Sequence, residues 1–329
     1  MHFLRCSVLS VTLGAALIPL PAAATGTISS FARAYVGGQV CGAGPAPNCL
    51  TTELYNDLSN PVEVTTADAQ GQFLAERRSG YYFPFDSENP SNFGVLENWA
   101  QADLNQGNLR LTAMATVPPR PAGSDPTTAQ PYVYGFASAW LGDTFAVLNP
   151  NGSAYSGAAN STLSINLDGN LFGTPESDLG FVASITLARP GYLAALAAHD
   201  YDTAGNLIVN SAYTDWLTAN SPLPPTLSIA VPAAQGSFEW MVSAFITYNF
   251  RQDDQGFNFV YADLGHTITV SLQTPQGTVF SSASGLFPGS IPAAPVPEPA
   301  SWALLLIGGA GTLALARRPR AVGAETALA

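Results

Sequence analysis

The stretch Ala100-Gln-Ala-Asp-Leu-Asn-Gln-Gly-Asn-Leu-Arg-Leu-Thr-Ala-Met-Ala-Thr116 decides the fold. In its second half Leu109, Leu111, Ala113 and Ala115 fall on one face, and Arg110, Thr112 and Met114 on the other. A period of two belongs to a strand with one dry and one wet face, whereas helical side chains recur every 3.6 residues. Asn105-Gln-Gly-Asn108 supplies turn-forming residues between the two runs, so the segment reads as a hairpin.

The same grammar continues on both sides. Further strands are expected at 137–141, 143–148, 161–167, 180–187, 207–210, 226–231, 238–248 and 267–272. Turn clusters rich in Gly, Pro, Asn and Ser separate them. Helical periodicity is not sustained beyond about two turns, with 193–198 the one ambiguous run. Many short strands with turns between them predict an all-β fold, an antiparallel β-sandwich or jelly-roll-like ectodomain. Gly142–Leu148 leading to Thr162–Gly169 echoes Gly265–Leu272 leading to Thr274–Phe280, which could mark corresponding strands of two sheets.

The two ends read as addresses. Arg5, the apolar stretch Val8–Leu20 and the small residues Ala22-Ala23-Ala24 form a secretory signal peptide, residues 1–24, with cleavage expected after Ala24. The ectodomain is assigned to 25–291 and a Pro-rich linker with a Pro-Glu-Pro box to 292–299. An uncharged run, 300–316, is long enough for a short transmembrane helix. Arg317, Arg318 and Arg320 then form a membrane stop, and 317–329 is read as a basic cytoplasmic tail. No Leu-Pro-x-Thr-Gly cell-wall box is present.

Val296-Pro297-Glu298-Pro299, the apolar run to Ala316 and Arg317-Arg318, in this order, resemble the PEP-CTERM sorting signal of Gram-negative bacteria. Ala100–Arg110, Ser161–Gly169, Asp263–Leu272 and Val279–Phe287 are similar to strand motifs of PEP-CTERM ectodomains. The resemblance implies an exosortase as processing partner, with Val296, Pro297, Glu298 and Pro299 as the processing motif. It further implies transient insertion in the inner membrane, then delivery to the cell surface or extracellular matrix. Association with exopolysaccharide or other envelope components follows from it as well, in a structural or interaction role; the alternative is a carbohydrate-binding module for the host's own exopolysaccharide.

Composition narrows the partners. Residues 25–297 carry seven arginines, no lysine and 21 acidic side chains, a net charge of −14. Such a surface repels nucleic acid and anionic lipid. Cys41 and Cys49, eight residues apart across a Gly/Pro loop in an exported chain, are expected to form a disulfide.

A search for chemistry leaves little. No Gly-x-Ser-x-Gly elbow is present, and His199 and His266 read as surface or turn residues. No catalytic residue is assigned, and the protein is not expected to be an enzyme. Asp200 and Asp202 in Asp200-Tyr-Asp-Thr-Ala-Gly-Asn206 suggest a Ca2+ loop, but positions five and twelve of the EF-hand pattern fail, so a hairpin turn is the favoured reading and no cofactor is expected. Among the tryptophans, Trp140 and Trp240 sit in apolar strands and are expected in the core. Trp216, before a Pro-rich loop, is the candidate glycan contact.

Overall fold

Period-two patterning is realised over most of the chain. The structure, a computed structural model, describes residues 28–41, 49–50, 62–84, 93–119, 132–175, 177–232, 237–251 and 257–290. The strands run β1 (Ser30–Cys41), β2 (Cys49–Leu50), β3 (Val62–Val64), β4 (Leu74–Pro84), β5 (Phe93–Asp103), β6 (Asn108–Val117), β7 (Tyr132–Leu148), β8 (Ser161–Gly173) and β9 (Asp178–Ala188). Two short helices follow, α1 (Tyr192–Ala197) and α2 (Tyr201–Leu207). Then come β10 (Ile208–Tyr213), β11 (Leu217–Thr218), β12 (Thr226–Val231), β13 (Ser237–Arg251), β14 (Asn258–Gln273) and β15 (Val279–Ser282).

These strands make two antiparallel sheets. The larger has the order β10-β9-β13-β7-β1-β2, with β11 on β9, β15 on β7 and β3 on β1. The smaller has the order β12-β8-β14-β6-β5-β4. From β6 onward the chain alternates between sheets, except that β9, β10 and β11 all stay in the larger one: β13 inserts between β7 and β9, and β14 between β6 and β8. One apolar cluster joins the inward residues of both sheets, including Ala34, Leu111, Ala139, Ile165, Ile185 and Val242. The pair is thus a face-to-face antiparallel sandwich, as the alternation predicts.

Several expectations are refined. The turn between β5 and β6 lies where Asn105–Asn108 places it, with Gly107 at φ +62°. The separate strands expected at 137–141 and 143–148 are one strand, β7. Gly142 interrupts nothing: it pairs with Phe31 on one side and Met241 on the other. A Cβ there would sit 2.7 Å from both Leu193 Cδ2 and the Trp240 carbonyl oxygen, so the glycine admits the helix onto the sheet. The ambiguous run at 193–198 is α1. The hairpin turn expected at Asp200–Asn206 is instead the helix α2, capped by Asp200, whose side chain accepts from the Thr203 amide at 3.1 Å. Hydrogen bonds from the Thr203 side chain and amide lower the Asp200 carboxyl from its ordinary value. The echoed segments are not corresponding strands: the first runs from the larger sheet to the smaller, the second from the smaller to the larger.

Three buried polar groups pin the layers. Asp143 accepts from Ser30 Oγ (2.8 Å), Thr144 N (2.8 Å), Ser284 Oγ (2.7 Å) and Ser284 N (3.3 Å), tying β1 and β7 to the segment after β15. Desolvation raises its carboxyl above the usual range despite these bonds. The fully buried Tyr248 donates to Asn98 Oδ1 at 3.1 Å, and Asn98 donates on to the Gly37 carbonyl at 3.0 Å, a polar link between the sheets. Burial raises the Tyr248 phenol well above its ordinary value. Glu239 of β13 accepts from Gly191 N (2.9 Å) and Leu193 N (2.8 Å). It therefore caps α1, whose own N-cap residue, Gly191, has no side chain to do so.

Candidate functional site

The outer face of the larger sheet gathers the most varied chemistry, and the register explains why. Phe31, Ala32 and Arg33 of β1 alternate out, in, out, because Ala32 joins the core. Arg33 lies opposite Glu63 of β3 on one side and Trp140 of β7 on the other. The same row continues through Ser243 of β13 and Ser184 of β9 to Tyr213 of β10. Ser184 and Ser243 share a hydrogen bond of 2.7 Å, and Tyr213 is 70% exposed.

At one end of this row stands the turn between α1 and α2. A second apolar cluster seats these helices, built from Phe31, Ala188, Tyr192, Leu193, Leu196, Ala204 and Met241 among others. The turn carries His199 in the left-handed region, φ +57°, over the sheet. Arg33 forms an ion pair with Glu63 through Nη2, and the same nitrogen lies 2.9 Å from His199 Nε2. A guanidinium only donates, so in a hydrogen bond between them His199 Nε2 is the acceptor. His199 Nε2 is also 3.3 Å from Glu63 Oε1, and Arg33 Nη1 donates to the Tyr201 hydroxyl at 3.4 Å. The guanidinium carbon lies 4.9 Å from the Trp140 ring centroid and 5.4 Å from that of Phe31.

Beyond this cluster the face is aromatic. Tyr35 and Phe136 lie 4.8 Å apart between centroids, and Phe136 is 6.1 Å from both Tyr134 and Phe245. Trp140, Phe245 and Gly180 lie on a diagonal over β7, β13 and β9. Each step crosses one strand and two residues, roughly 8 Å by sheet geometry. Trp216 lies on Gly180, where a Cβ would overlap its indole ring, and it stays 52% exposed. Glycine at 180 thus leaves the room that the ring occupies.

The sequence-expected residues fall as follows. Trp216 is at the surface, as read. Trp240 is fully buried, but Trp140 faces outward beneath Arg33, contrary to the core placement expected for it: its odd-numbered neighbours Ala139 and Leu141 take the inward positions. His199 is exposed in a turn. His266 lies within β14, at a register shift between Asp263 and Thr267, rather than at a strand start. Asp200 and Asp202 belong to the α2 cap and first turn, and among the described residues no three His, Cys, Asp or Glu side chains converge. Cys41 and Cys49 are direct partners in the β1–β2 ladder; their side chains lie outside the description. So do Val296, Pro297, Glu298, Pro299, Arg317, Arg318 and Arg320, with residues 1–24, expected as a signal peptide, and the apolar run 300–316. Arg33 and Glu63 were missed. Their only local signal is a charge inside an alternating apolar run, as in Val62-Glu-Val64.

Comparison with known proteins adds one finding. Residues 295–321 match the family model described as the PEP-CTERM protein-sorting motif. No curated protein and no solved structure matches the chain. The chain thus carries the PEP-CTERM sorting motif near its C-terminus, and proteins with this motif are exported and sorted to the cell surface.

Proposed function

We propose that this is an exosortase-processed protein of the cell envelope or extracellular matrix, associated with exopolysaccharide and acting by binding rather than catalysis. The sorting motif at 295–321 carries the reading. In this account residues 1–24 are removed as a signal peptide, 300–316 insert transiently in the inner membrane, and Pro297-Glu298-Pro299 directs processing.

The test is the intact mass and terminal peptides of the protein from its native host. A chain that starts at Thr25 and ends near the Pro-Glu-Pro box is expected. Retention of Trp302 through Arg320 would replace release with a membrane-anchored ectodomain.

One observation favours a second reading, a carbohydrate-binding module for the host's own exopolysaccharide. Trp216 lies half-exposed over Gly180, beside the outer aromatic face. Flat rings stack on sugar faces while neighbouring hydroxyls hydrogen-bond their rims. Glycan-array binding lost on Trp216→Ala would favour this reading. Retained binding would remove Trp216 from it.

A further inference from the structure

The large apolar side chains that the fold leaves exposed are not spread evenly. Five of the nine among the described residues, Tyr201, Ile208, Val209, Tyr213 and Trp216, fall in α2, β10 and the segment just after it. β10 is an end strand of the larger sheet, and among the described residues it pairs with β9 alone. Its other edge presents backbone. The Thr214 amide donates to the Ala183 carbonyl at 2.9 Å, so Thr214 turns its peptide groups toward β9. Successive residues of an antiparallel ladder alternate in this respect. Ala212 therefore bonds β9 as Thr214 does, and Ser211 and Tyr213 direct their amides and carbonyls to the open side.

Open edges invite pairing, and folded proteins blunt them with charge, proline or brevity. Other strand ends here are blunted in these ways. β2 has two residues, and β4 carries Glu76, Arg77 and Arg78 and ends at Pro84. β10, Ile-Val-Asn-Ser-Ala-Tyr, has neither charge nor proline. Nor does β12, Thr-Leu-Ser-Ile-Ala-Val, the end strand of the smaller sheet, which touches β10. The one irregularity of β10 lies at its start, between Ile208 and Asn210.

A second copy of the chain fits this edge. The outward amides and carbonyls of an antiparallel strand are complementary to themselves about a two-fold axis. With the axis at Ser211, the two copies of that residue exchange a pair of hydrogen bonds. Tyr213 then falls opposite the partner's Val209, an aromatic against a β-branched side chain, with no like charges opposed. Asp215 comes to the end of the strand where the Arg189 amide donates to the Leu207 carbonyl. Arg189 and Asp215 are both exposed, and neither is in an ion pair among the described residues. The two-fold axis thus brings unlike charges together at each end of the contact. The net charge of −14 over residues 25–297 opposes self-association at long range, but beyond about 8 Å it is screened at physiological salt.

We propose that the chain forms a two-fold dimer by antiparallel pairing of β10 with β10 of a second copy, joining two larger sheets into one. This rests on neither the sorting nor the glycan reading above.

The experiment is sedimentation velocity of the full-length chain in detergent over a concentration series, and a monomer–dimer equilibrium is expected. Ser211→Pro removes an amide that faces the open side and spares the β9 ladder, so it should raise the dissociation constant about tenfold or more. Tyr213→Lys places a charge on the edge and should act likewise; it serves should the proline variant lose its native circular dichroism. Asp215→Arg should weaken the dimer about threefold, and adding Arg189→Asp should restore it. A short bis-maleimide should join Ser211→Cys to its copy, beyond any background from the unsubstituted chain. A monomer at every concentration up to about 1 mM would overturn the proposal. So would a dimer that persists through both Ser211→Pro and Tyr213→Lys, which would move self-association outside β10. Loss on Ser228→Pro, with the β10 variants still dimeric, would move the contact to β12 and refute this one.

Discussion

Replacing Asp143 tests whether one carboxyl joins the two ends of the described body. Its oxygens accept from two hydroxyls and two backbone amides, those of Thr144 and Ser284. In Asp143→Ala the hydroxyls can rotate to other acceptors, but the two amides lose their acceptor in a site with no exposure. At about 1–3 kcal/mol for each buried donor left unmet, and with relief of the carboxyl's own desolvation subtracted, the net loss should be roughly 2–4 kcal/mol. Asp143→Asn keeps one acceptor oxygen and should lose about half as much. The pH dependence separates this account from a generic packing defect. Burial raises the Asp143 carboxyl in the folded state. Its contribution is therefore fully present below the unfolded value, near 3.8, and declines as pH rises through the folded value. Asparagine does not titrate, so the penalty of Asp143→Asn should be largest in acid and smaller at neutral pH. Urea unfolding of both proteins across that range gives the difference directly, because the other carboxyls cancel. A penalty that grows toward neutral pH would refute the reasoning, since it would mean that the site prefers the anion.

Three further outcomes follow from the same structure. Glu239→Ala should release α1 from the sheet at a cost of about 1–3 kcal/mol, seen as faster hydrogen exchange at the Gly191 and Leu193 amides; unchanged exchange there would reject the cap. Tyr248→Phe should cost about 1–2 kcal/mol by leaving Asn98 Oδ1 without its donor, and a cycle with Asn98→Ala should show coupling between the two positions. Opposed residues in an antiparallel ladder have Cα atoms about 4.5–5.5 Å apart, within disulfide range, so the denatured, unreduced protein should label at neither Cys41 nor Cys49. Closing so small a ring is worth about 2.5 kcal/mol in the chain-entropy estimate, and Cys41→Ser should lower stability by about that amount. Labelling of both thiols would discard the bridge.

Where the sequence was informative, the signal was local. Leu109, Leu111, Ala113 and Ala115 announce a strand because their burial repeats every second residue, and Val296-Pro-Glu-Pro299 with its apolar run and arginines announces a sorting tail because its parts are contiguous. Where a strand carries large apolar residues on both faces the signal blurs. β1 was not found because Phe31 and Tyr35 point outward while alanines point inward and Gly37-Gly38 resembles a turn. β7 was divided at Gly142 because a glycine in sequence does not say whether it breaks a strand or seats a helix. α2 reads as a turn in sequence because seven residues with one glycine carry too little periodicity to decide.

By itself, then, the sequence determined that the body is built of antiparallel strands with two faces, and that the chain ends in a sorting signal. Tertiary structure alone decided which residues share a site. Arg33 meets Glu63 across 30 residues and His199 across 166, and Tyr261 meets Phe172 only because β14 inserts beside β8. Side-chain alternation fixes the face on which a residue lies, but strand order and register fix its neighbours. Those depend on contacts far apart in the chain, which no local period encodes.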